Sequence, residues 1–450
     1  MKLSDINRVH FIGVGGIGMS ALARFFLFHK KNVSGYDRVS TVLTKELEEE
    51  GANIHYKDKV EVIKEIENID LVVYTPAIPS DSEQLNFFNT NKFPIYKRAE
   101  LLGEITKSYF TIAIAGTHGK TTTSSIIAHV LQESNYGGIA FLGGIATNYS
   151  SNVILNSNNN VAVVEADEFD RSFMHLSPDI IVLTSMDADH LDIYGNKEVL
   201  KENFISFTKI LKNEKSLIVH EEISNYFKDA GVYGERNNNL SLKNIKIING
   251  SYHFDIKYNG ELITGFILNY PGKHNLLNAS AAVFVALKMD VPVPLIKKAI
   301  ASFKGVKRRF EIHVNNSNHI YIDDYAHHPK EIDALISSVR ELFPDKEITG
   351  VFQPHLFTRT RDFLEEFCES LSRLDHLILM DIYPARESPI SGINSRVMLD
   401  KINCKTKKHL KRGFSLTDQI NLKKAQVILT IGAGDIDLEV KNINQHLINN

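Results

Sequence analysis

Short, mainly apolar runs closed by a glycine or a polar residue recur along the chain. Val9–Ile12 runs into Gly13, Phe110–Ala115 into Gly116, and Val161–Val164 ends at Glu165. Ile180–Thr184 leads toward His190, Ile320–Ile322 ends at Asp323, and Ile348–Phe352 ends at Gln353. Leu377–Met380 stops at Asp381 and Val427–Ile431 at Gly432. Runs apolar at consecutive positions are strands buried on both faces, which is the pattern of parallel sheet. Helical spacing follows several of them: Ile126, Ile127, Val130 and Leu131 after Lys120, and Ile332, Leu335, Ile336, Val339 and Leu342 after Pro329. Strand–helix alternation predicts an α/β protein with open twisted sheets.

One region breaks the pattern. Tyr252, Phe254, Ile256 and Tyr258 alternate with polar residues and lead into Asn259-Gly260. An Asn-Gly pair supplies the two positive-φ positions of a tight hairpin turn, so a small antiparallel element is predicted before Pro271-Gly272. The strand pattern restarts at about Tyr109, after helix-like Arg98–Thr106, and at about Ile312, after Lys307-Arg308-Arg309. At roughly 150 residues per domain, the 450 residues suggest about three domains, with expected bounds of 1–107, 108–312 and 313–450.

Composition narrows the functional classes. With 51 Lys+Arg against 54 Asp+Glu the net charge is −3, which offers no basic stripe for nucleic acid. No apolar run approaches the roughly 18 residues of a membrane span. Asp5 interrupts what would be the apolar core of a signal peptide, so a cytoplasmic protein is expected. The two cysteines, Cys368 and Cys404, lie in no metal-ligand spacing.

Two glycine loops carry the chemistry. Gly13-Val-Gly15-Gly16-Ile17-Gly18 matches GxGxxG between a strand and a helix, where backbone N–H groups and the helix dipole favour a diphosphate. Asp37, 19 residues on, is suited to accept ribose hydroxyls. NAD, FAD and a UDP-sugar all fit this pattern. The second loop, Gly116-Thr117-His118-Gly119-Lys120-Thr121, departs from the standard P-loop in having Ile114 at the first glycine position. It retains backbone donors for phosphates, a lysine for the β- and γ-phosphates and a hydroxyl for Mg²⁺. Glu165 and His190 follow neighbouring strand ends; a carboxylate suits Mg²⁺ better than an imidazole does.

These blocks, in this order, resemble the Mur ligase family. The resemblance spans nearly the whole chain. It rests on Gly13–Ser20, Gly116–Thr123, Glu165–Glu168, Asp189–Asp192 and Gly272–Ala279, and then on Arg308–Glu311, Asp323–Pro329, Phe352–His355 with Thr358–Arg361, and Pro389–Ile393. It implies three α/β domains: a Rossmann-like N-terminal domain, a central P-loop ATPase-like parallel sheet, and a Rossmann-like C-terminal domain. It also implies ATP-dependent amide formation. The lactyl carboxylate of UDP-N-acetylmuramate attacks the γ-phosphate of ATP, and the amine of L-alanine attacks the resulting acyl phosphate.

Carried onto this chain, the resemblance assigns the UDP-sugar to Gly13, Gly15, Gly16, Ile17, Gly18 and Asp37. ATP falls to Gly116, Thr117, His118, Gly119, Lys120, Thr121 and Thr122, with Asn275 on the adenine side, Arg309 on phosphate and Asp324 reaching ATP across a domain interface. Mg²⁺ falls to Thr121, Glu165 and His190, and Lys120, Glu165 and His190 are the catalytic set. Arg359 is assigned the amino-acid carboxylate, which a guanidinium grips bidentately, with Tyr325, His327 and His355 nearby. No nucleic-acid or membrane partner is implied, and a monomer or weak homodimer is expected.

Three positions depart from the family pattern. Several relatives carry a carbamylated lysine about fifteen residues beyond the histidine matched by His190. Here that stretch reads Phe204-Ile205-Ser206, as in the branch that adds alanine. Leu356 stands where arginine is common, and Arg386 where glycine is usual. A recycling ligase that attaches a tripeptide to the same sugar nucleotide is one alternative, disfavoured by the form of the first loop. An NAD-dependent oxidoreductase leaves the second loop, Glu165 and His190 unexplained, and a non-enzymatic nucleotide-binding protein need not retain Lys120, Thr121 and Glu165.

Overall fold

The structure, a computed structural model, describes residues 3–64, 66, 68–187, 194, 196–236, 239–385, 387–411, 415–420 and 425–448. Three sheets follow one another along the chain. The first contains β1 (Arg8–Ile12), β2 (Asn32–Tyr36), β3 (Asn53–His55), β4 (Leu71–Tyr74) and β5 (Ile95–Lys97) in the order 3-2-1-4-5, all parallel. The doubly wound order places a crevice at the carboxyl ends of β1 and β4.

The second sheet has ten strands. Its parallel core is β6 (Phe110–Ala115), with β9 (Val161–Glu165) and β7 (Ile139–Ala146) on one side and β8 (Ser151–Ile154) antiparallel at that edge. On the other side stand β10 (Ile180–Leu183), β11 (Leu217–His220) and β12 (Gly231–Gly234). Ile112, Ala113, Ile114 and Ala115 are fully buried, which accounts for the unbroken apolar run in the sequence. The chain switches sides at β6, so the loop that follows it lies at a topological switch point. The sheet ends in β13 (Leu240–Ile248), β14 (Ser251–Tyr258) and β15 (Glu261–Leu268). The expected hairpin is present: Asn259 and Gly260 both take positive φ, and Tyr252, Phe254 and Ile256 are buried on one face.

The third sheet has the order β16-β17-β21-β18-β19-β20: β16 (Glu311–Asn315), β17 (Ile320–Asp324), β18 (Ile348–Phe352), β19 (His376–Met380), β20 (Thr406–Leu410) and β21 (Val427–Ile431). Only its edge pair β16–β17 is antiparallel. The chain folds into two compact units. One comprises Met1–Ile245 with Phe254–Ile267 and Asn278–Lys304; the other comprises Lys246–His253 with Leu268–Leu277 and Gly305–Asn450. The first unit therefore holds the first sheet and most of the second, and the second unit holds the third sheet.

Within the first unit, helix α1 (Ile17–Phe28) ties the first sheet to the second. Arg24, almost buried, bonds Glu50 at 2.9 Å, Glu46 at 2.8 Å and the Asn152 carbonyl at 2.6 Å. The Asn152 amide returns to the Ile17 carbonyl and the Ser20 hydroxyl. A buried guanidinium is tolerated only with such pairing. Two further helices, α2 (Arg98–Thr106) and α3 (Lys120–Glu133), precede and follow β6 in the chain.

His10, on β1, is fully buried. Its Nε2 lies 3.1 Å from Gln84 Oε1 and its Nδ1 2.9 Å from Ser34 Oγ. The Gln84 oxygen requires a proton on Nε2, and in the neutral ring that full burial favours, Nδ1 is left to accept the Ser34 hydroxyl. Burial pulls the His10 pKa down to about 4, against a weaker upward pull from Gln84. A base with a depressed folded-state pKa contributes stability that is present above its unfolded pKa and is lost as pH falls toward the folded one. Between pH 6.5 and 4 the expected loss from this group is about 3 kcal/mol. Denaturant unfolding of the wild type and His10→Gln across that range checks it: the difference between the two should shrink as pH falls.

Candidate active site

The loop after β6 follows the physics its glycines suggest. Gly116 takes φ +133°, and a Cβ there would lie 2.2 Å from Thr184 Oγ1. Gly119 takes φ +82° as the residue capping α3, and its Cβ would lie 2.6 Å from Asn278 Oδ1. Neither position accepts a side chain, so backbone lines the loop. Helix α3 starts without a side-chain cap, which leaves its positive dipole end for an anion. Thr121 and Thr122 are buried in its first turn. The loop's outer wall is braced by the segment after β10: His118 N–H donates to Ser185 Oγ at 2.9 Å and Thr117 Oγ1 to the Asp187 carbonyl at 2.9 Å.

Lys120 lies across this loop. Its ammonium donates to the Gly116 carbonyl at 2.6 Å and to both oxygens of Glu168, at 2.9 and 2.8 Å. Burial opposes its charge, but Glu168, Glu165 and Asp167 outweigh burial and raise its pKa above the usual lysine value. Glu168 is almost completely buried, and burial pushes its pKa up to about 7 even beside Lys120. Glu165 ends β9, with Oε2 accepting the Gly143 N–H at 2.9 Å. A strand-end carboxylate and a helix-start hydroxyl are the hard oxygen donors that Mg²⁺ prefers. Asp189 and His190 lie outside the described residues, as do Leu191, Asp192 and Arg386.

In the first loop Gly13 takes φ +86°, and Asp37 closes the turn: its Oδ2 accepts the Gly15 N–H at 2.8 Å and its Oδ1 the Val39 N–H at 3.2 Å. A Cβ on Gly15 would lie 2.9 Å from that carboxylate. Asp37 therefore holds the loop's shape. Gly16 caps α1 with no side-chain bond, leaving the helix start, Ile17 and Gly18, open to an anion.

The second unit gathers the other predicted residues. Asp324, at the end of β17, accepts the N–H groups of Phe310 at 2.6 Å and Ala326 at 2.7 Å. Burial raises its pKa to about 6 against the pull of Arg309. The Arg309 guanidinium lies 5.1 Å from the Tyr325 ring centre and 3.8 Å from Glu331 Oε1. Glu331 Oε2 accepts the His327 N–H at 3.0 Å. The His327 ring contacts those of Tyr325 and His355, and His355 Nδ1 is 3.3 Å from Arg359 Nη1. Arg359 itself is buried, in the short helix Phe357–Asp362. Asn275, in the same unit, is buried and donates to the Pro271 carbonyl at 2.5 Å. Leu356 takes φ +71°, a conformation costly for a branched side chain. Glu311, His313 and Asp323 also converge to within 4.8 Å, and Arg308, 3.0 Å from Asp323, supplies their cation.

Several partners have no signal in the sequence that assigns them. Glu168 clamps Lys120 from 48 residues away, and Asn278 accepts from Thr123 Oγ1 from 155 residues away. Glu331, Tyr383 stacked on His355, and His274, whose pKa burial and Arg309 lower to about 4, complete the second unit's cluster. Glu168 closes the Glu165–Glu168 block, and His274 and Asn278 lie within Gly272–Ala279. Tyr383 opens the stretch Tyr383–Ser395 that contains Pro389–Ile393, and Glu331 stands in no such block.

Three family descriptions match in chain order: "Mur ligase family, catalytic domain" over residues 8–110, "Mur ligase middle domain" over 114–286, and "Mur ligase, glutamate ligase domain" over 308–434. The chain is 49% identical to the UDP-N-acetylmuramate–L-alanine ligase of Flavobacterium psychrophilum, with 99% of each chain covered. It is 42% identical to that of Porphyromonas gingivalis, with 98% of this chain and 99% of the relative covered. The crystal structure of the UDP-N-acetylmuramate-alanine ligase of Thermotoga maritima superposes with a TM-score of 0.83 at 26% identity, covering 98% of this chain and 99% of that one. A murein peptide ligase from Psychrobacter arcticus shares the fold, with a TM-score of 0.70 at 20% identity over 98% and 99% of the two chains. With matches across all three sheets and full-length relatives this similar, the chain belongs to the Mur ligase family.

Proposed function

We propose that this enzyme joins L-alanine to the lactyl carboxylate of UDP-N-acetylmuramate, converting ATP to ADP and phosphate, in cytoplasmic synthesis of the peptidoglycan precursor. The observation that carries this reading is the 42–49% identity, over essentially the whole chain, to relatives that bear that activity's name. In this reading residues 1–107 bind the sugar nucleotide, 108–312 bind ATP and 313–450 bind the amino acid. The acting form is a monomer or weak homodimer, with no nucleic-acid or membrane partner. Among the described residues no helix is long and apolar enough to cross a membrane.

The chemistry accounts for the residues. A carboxylate resists attack by an amine because its oxygen leaves poorly; phosphorylation supplies the leaving group. Two anions must first meet, so local positive charge is the main requirement. Lys120 supplies it from inside the loop, beside the backbone of Gly116, Thr117 and Gly119 and the α3 dipole, with the His118 N–H committed to Ser185 Oγ. Thr121 and Glu165 would hold Mg²⁺, which neutralises phosphate charge when bound; His190, as a further ligand, rests on the family resemblance. Asn275, Arg309 and Asp324 complete the ATP site in this reading. Arg359 takes the alanine carboxylate, with its guanidinium steadied by His355, and Tyr325 and His327 line the same cluster.

Lys120→Ala is expected to lower amide formation by at least roughly 10²–10³-fold, while calorimetry finds UDP-N-acetylmuramate affinity unchanged. Normal turnover would place ATP elsewhere. Arg359→Met should raise the KM for L-alanine by about 10–100-fold, the worth of a charge-assisted pair, with the KM for ATP unmoved. Phosphate release measured across an amino-acid panel and a tripeptide tests the substrate itself: alanine is expected to be preferred, and preference for glycine, serine or the tripeptide would overturn the assignment.

A further inference from the structure

Arg98 opens helix α2. A cation in a helix's first turn opposes the dipole, and a local rule broken in this way marks a position kept for another purpose. Its side chain is three-quarters buried. On one side the guanidinium presses on the first glycine loop: a Cβ on Gly18 would lie 2.9 Å from Nη1. On the other, Nη2 is 3.3 Å from Oδ2 of Asp167, two residues beyond Glu165. Arg98, Glu165, Asp167, Ser172 and Phe173 share the wall of a small pocket with about 10 Å³ of free space, room for about one water.

The pocket poses an electrostatic problem. Two carboxylates line it, so it repels an anion, yet Arg98 connects Gly18, in the loop assigned to the sugar nucleotide, with the segment just beyond the strand end at Glu165. Among the described residues Arg98 is the cation on its wall. The diphosphate already has backbone donors and the α1 dipole. The other anionic group of the substrate, the lactyl carboxylate, must reach Glu165 and Lys120 to react. A planar guanidinium grips a carboxylate through two parallel bonds, and Asp167 shows that this one reaches a carboxylate there.

We infer that Arg98 is a substrate-positioning residue whose guanidinium exchanges Asp167 for the lactyl carboxylate of the sugar nucleotide and holds it beside Glu165. This rests on the function proposed above. The pair with Asp167 then serves as a placeholder: Asp167, 39% exposed, releases its Oδ2 to water when the carboxylate arrives while its Oδ1 keeps the Phe169 N–H at 3.0 Å.

The test uses the full-length enzyme, with UDP and UDP-N-acetylmuramate as paired probes; UDP carries the diphosphate without the carboxylate. Arg98→Met is expected to weaken UDP-N-acetylmuramate binding by about 10–100-fold, leave UDP binding within about twofold and leave the KM for ATP unchanged. Arg98→Lys should recover part of the loss. Equal weakening of both probes would assign the guanidinium to the diphosphate and overturn the inference, as would no weakening of either. Asp167→Asn decides the matter if Arg98→Met does not fold. It should bind UDP-N-acetylmuramate at least as tightly as the wild type, whereas a loss as large as that expected for Arg98→Met would make the ion pair merely structural. Wild-type turnover is scored separately: no amide from the three substrates sinks the proposed function, while normal wild-type turnover with unaltered variants sinks only the role of Arg98.

Discussion

One ammonium group, enclosed at the carboxyl end of the second sheet, constrains the architecture around it. Lys120 is held by loop carbonyls and by both oxygens of a buried glutamate, largely shielded from water. A buried charge is stable only when paired and bonded. The loop must therefore present carbonyls inward, which the positive φ of Gly116 and Gly119 permits, and α3 must begin where it does. The neighbouring carboxylates Glu165 and Asp167 help keep the lysine protonated. The result is a fixed cation among carboxylates and helix-start donors, placed by the fold in a chain whose net charge is −3.

That concentration connects fold to function. Phosphoryl transfer to a carboxylate brings two anions together, and fixed dipoles and cations are what lower its barrier. The doubly wound sheets put glycine loops at their switch points, where helix starts already favour anions. The second unit repeats the device with side chains. Arg309, braced by Glu331 and Tyr325, and Arg359, beside His355, stand among aromatic rings.

Much of the fold was legible in the sequence because parallel strands buried on both faces leave unbroken apolar runs; β6, β9, β10, β17, β18, β19 and β21 all coincide with such runs. The hairpin was legible through its alternation and Asn259-Gly260. Short edge strands such as β3 and β5, half-exposed and three residues long, left no such run. In the site, the glycine loops announced themselves because a missing Cβ is written in the sequence. The partners of their charged groups did not. Glu168 is one acid among several in its block, and nothing local marks it as the group that reaches Lys120. Asn278, Glu331 and His274 acquire meaning only through contacts that the chain's folding creates. Asp37 likewise braces the glycine loop's backbone through bonds that no local pattern announces.

The central claim is that the lactyl carboxylate is activated by phosphorylation at the Lys120 loop. Labelling that carboxylate with ¹⁸O and analysing the released phosphate by mass spectrometry tests it most directly. Transfer of one ¹⁸O per amide formed is the predicted result, because the acyl phosphate's bridging oxygen leaves with phosphorus. Phosphate free of label, with amide still formed, would contradict the account.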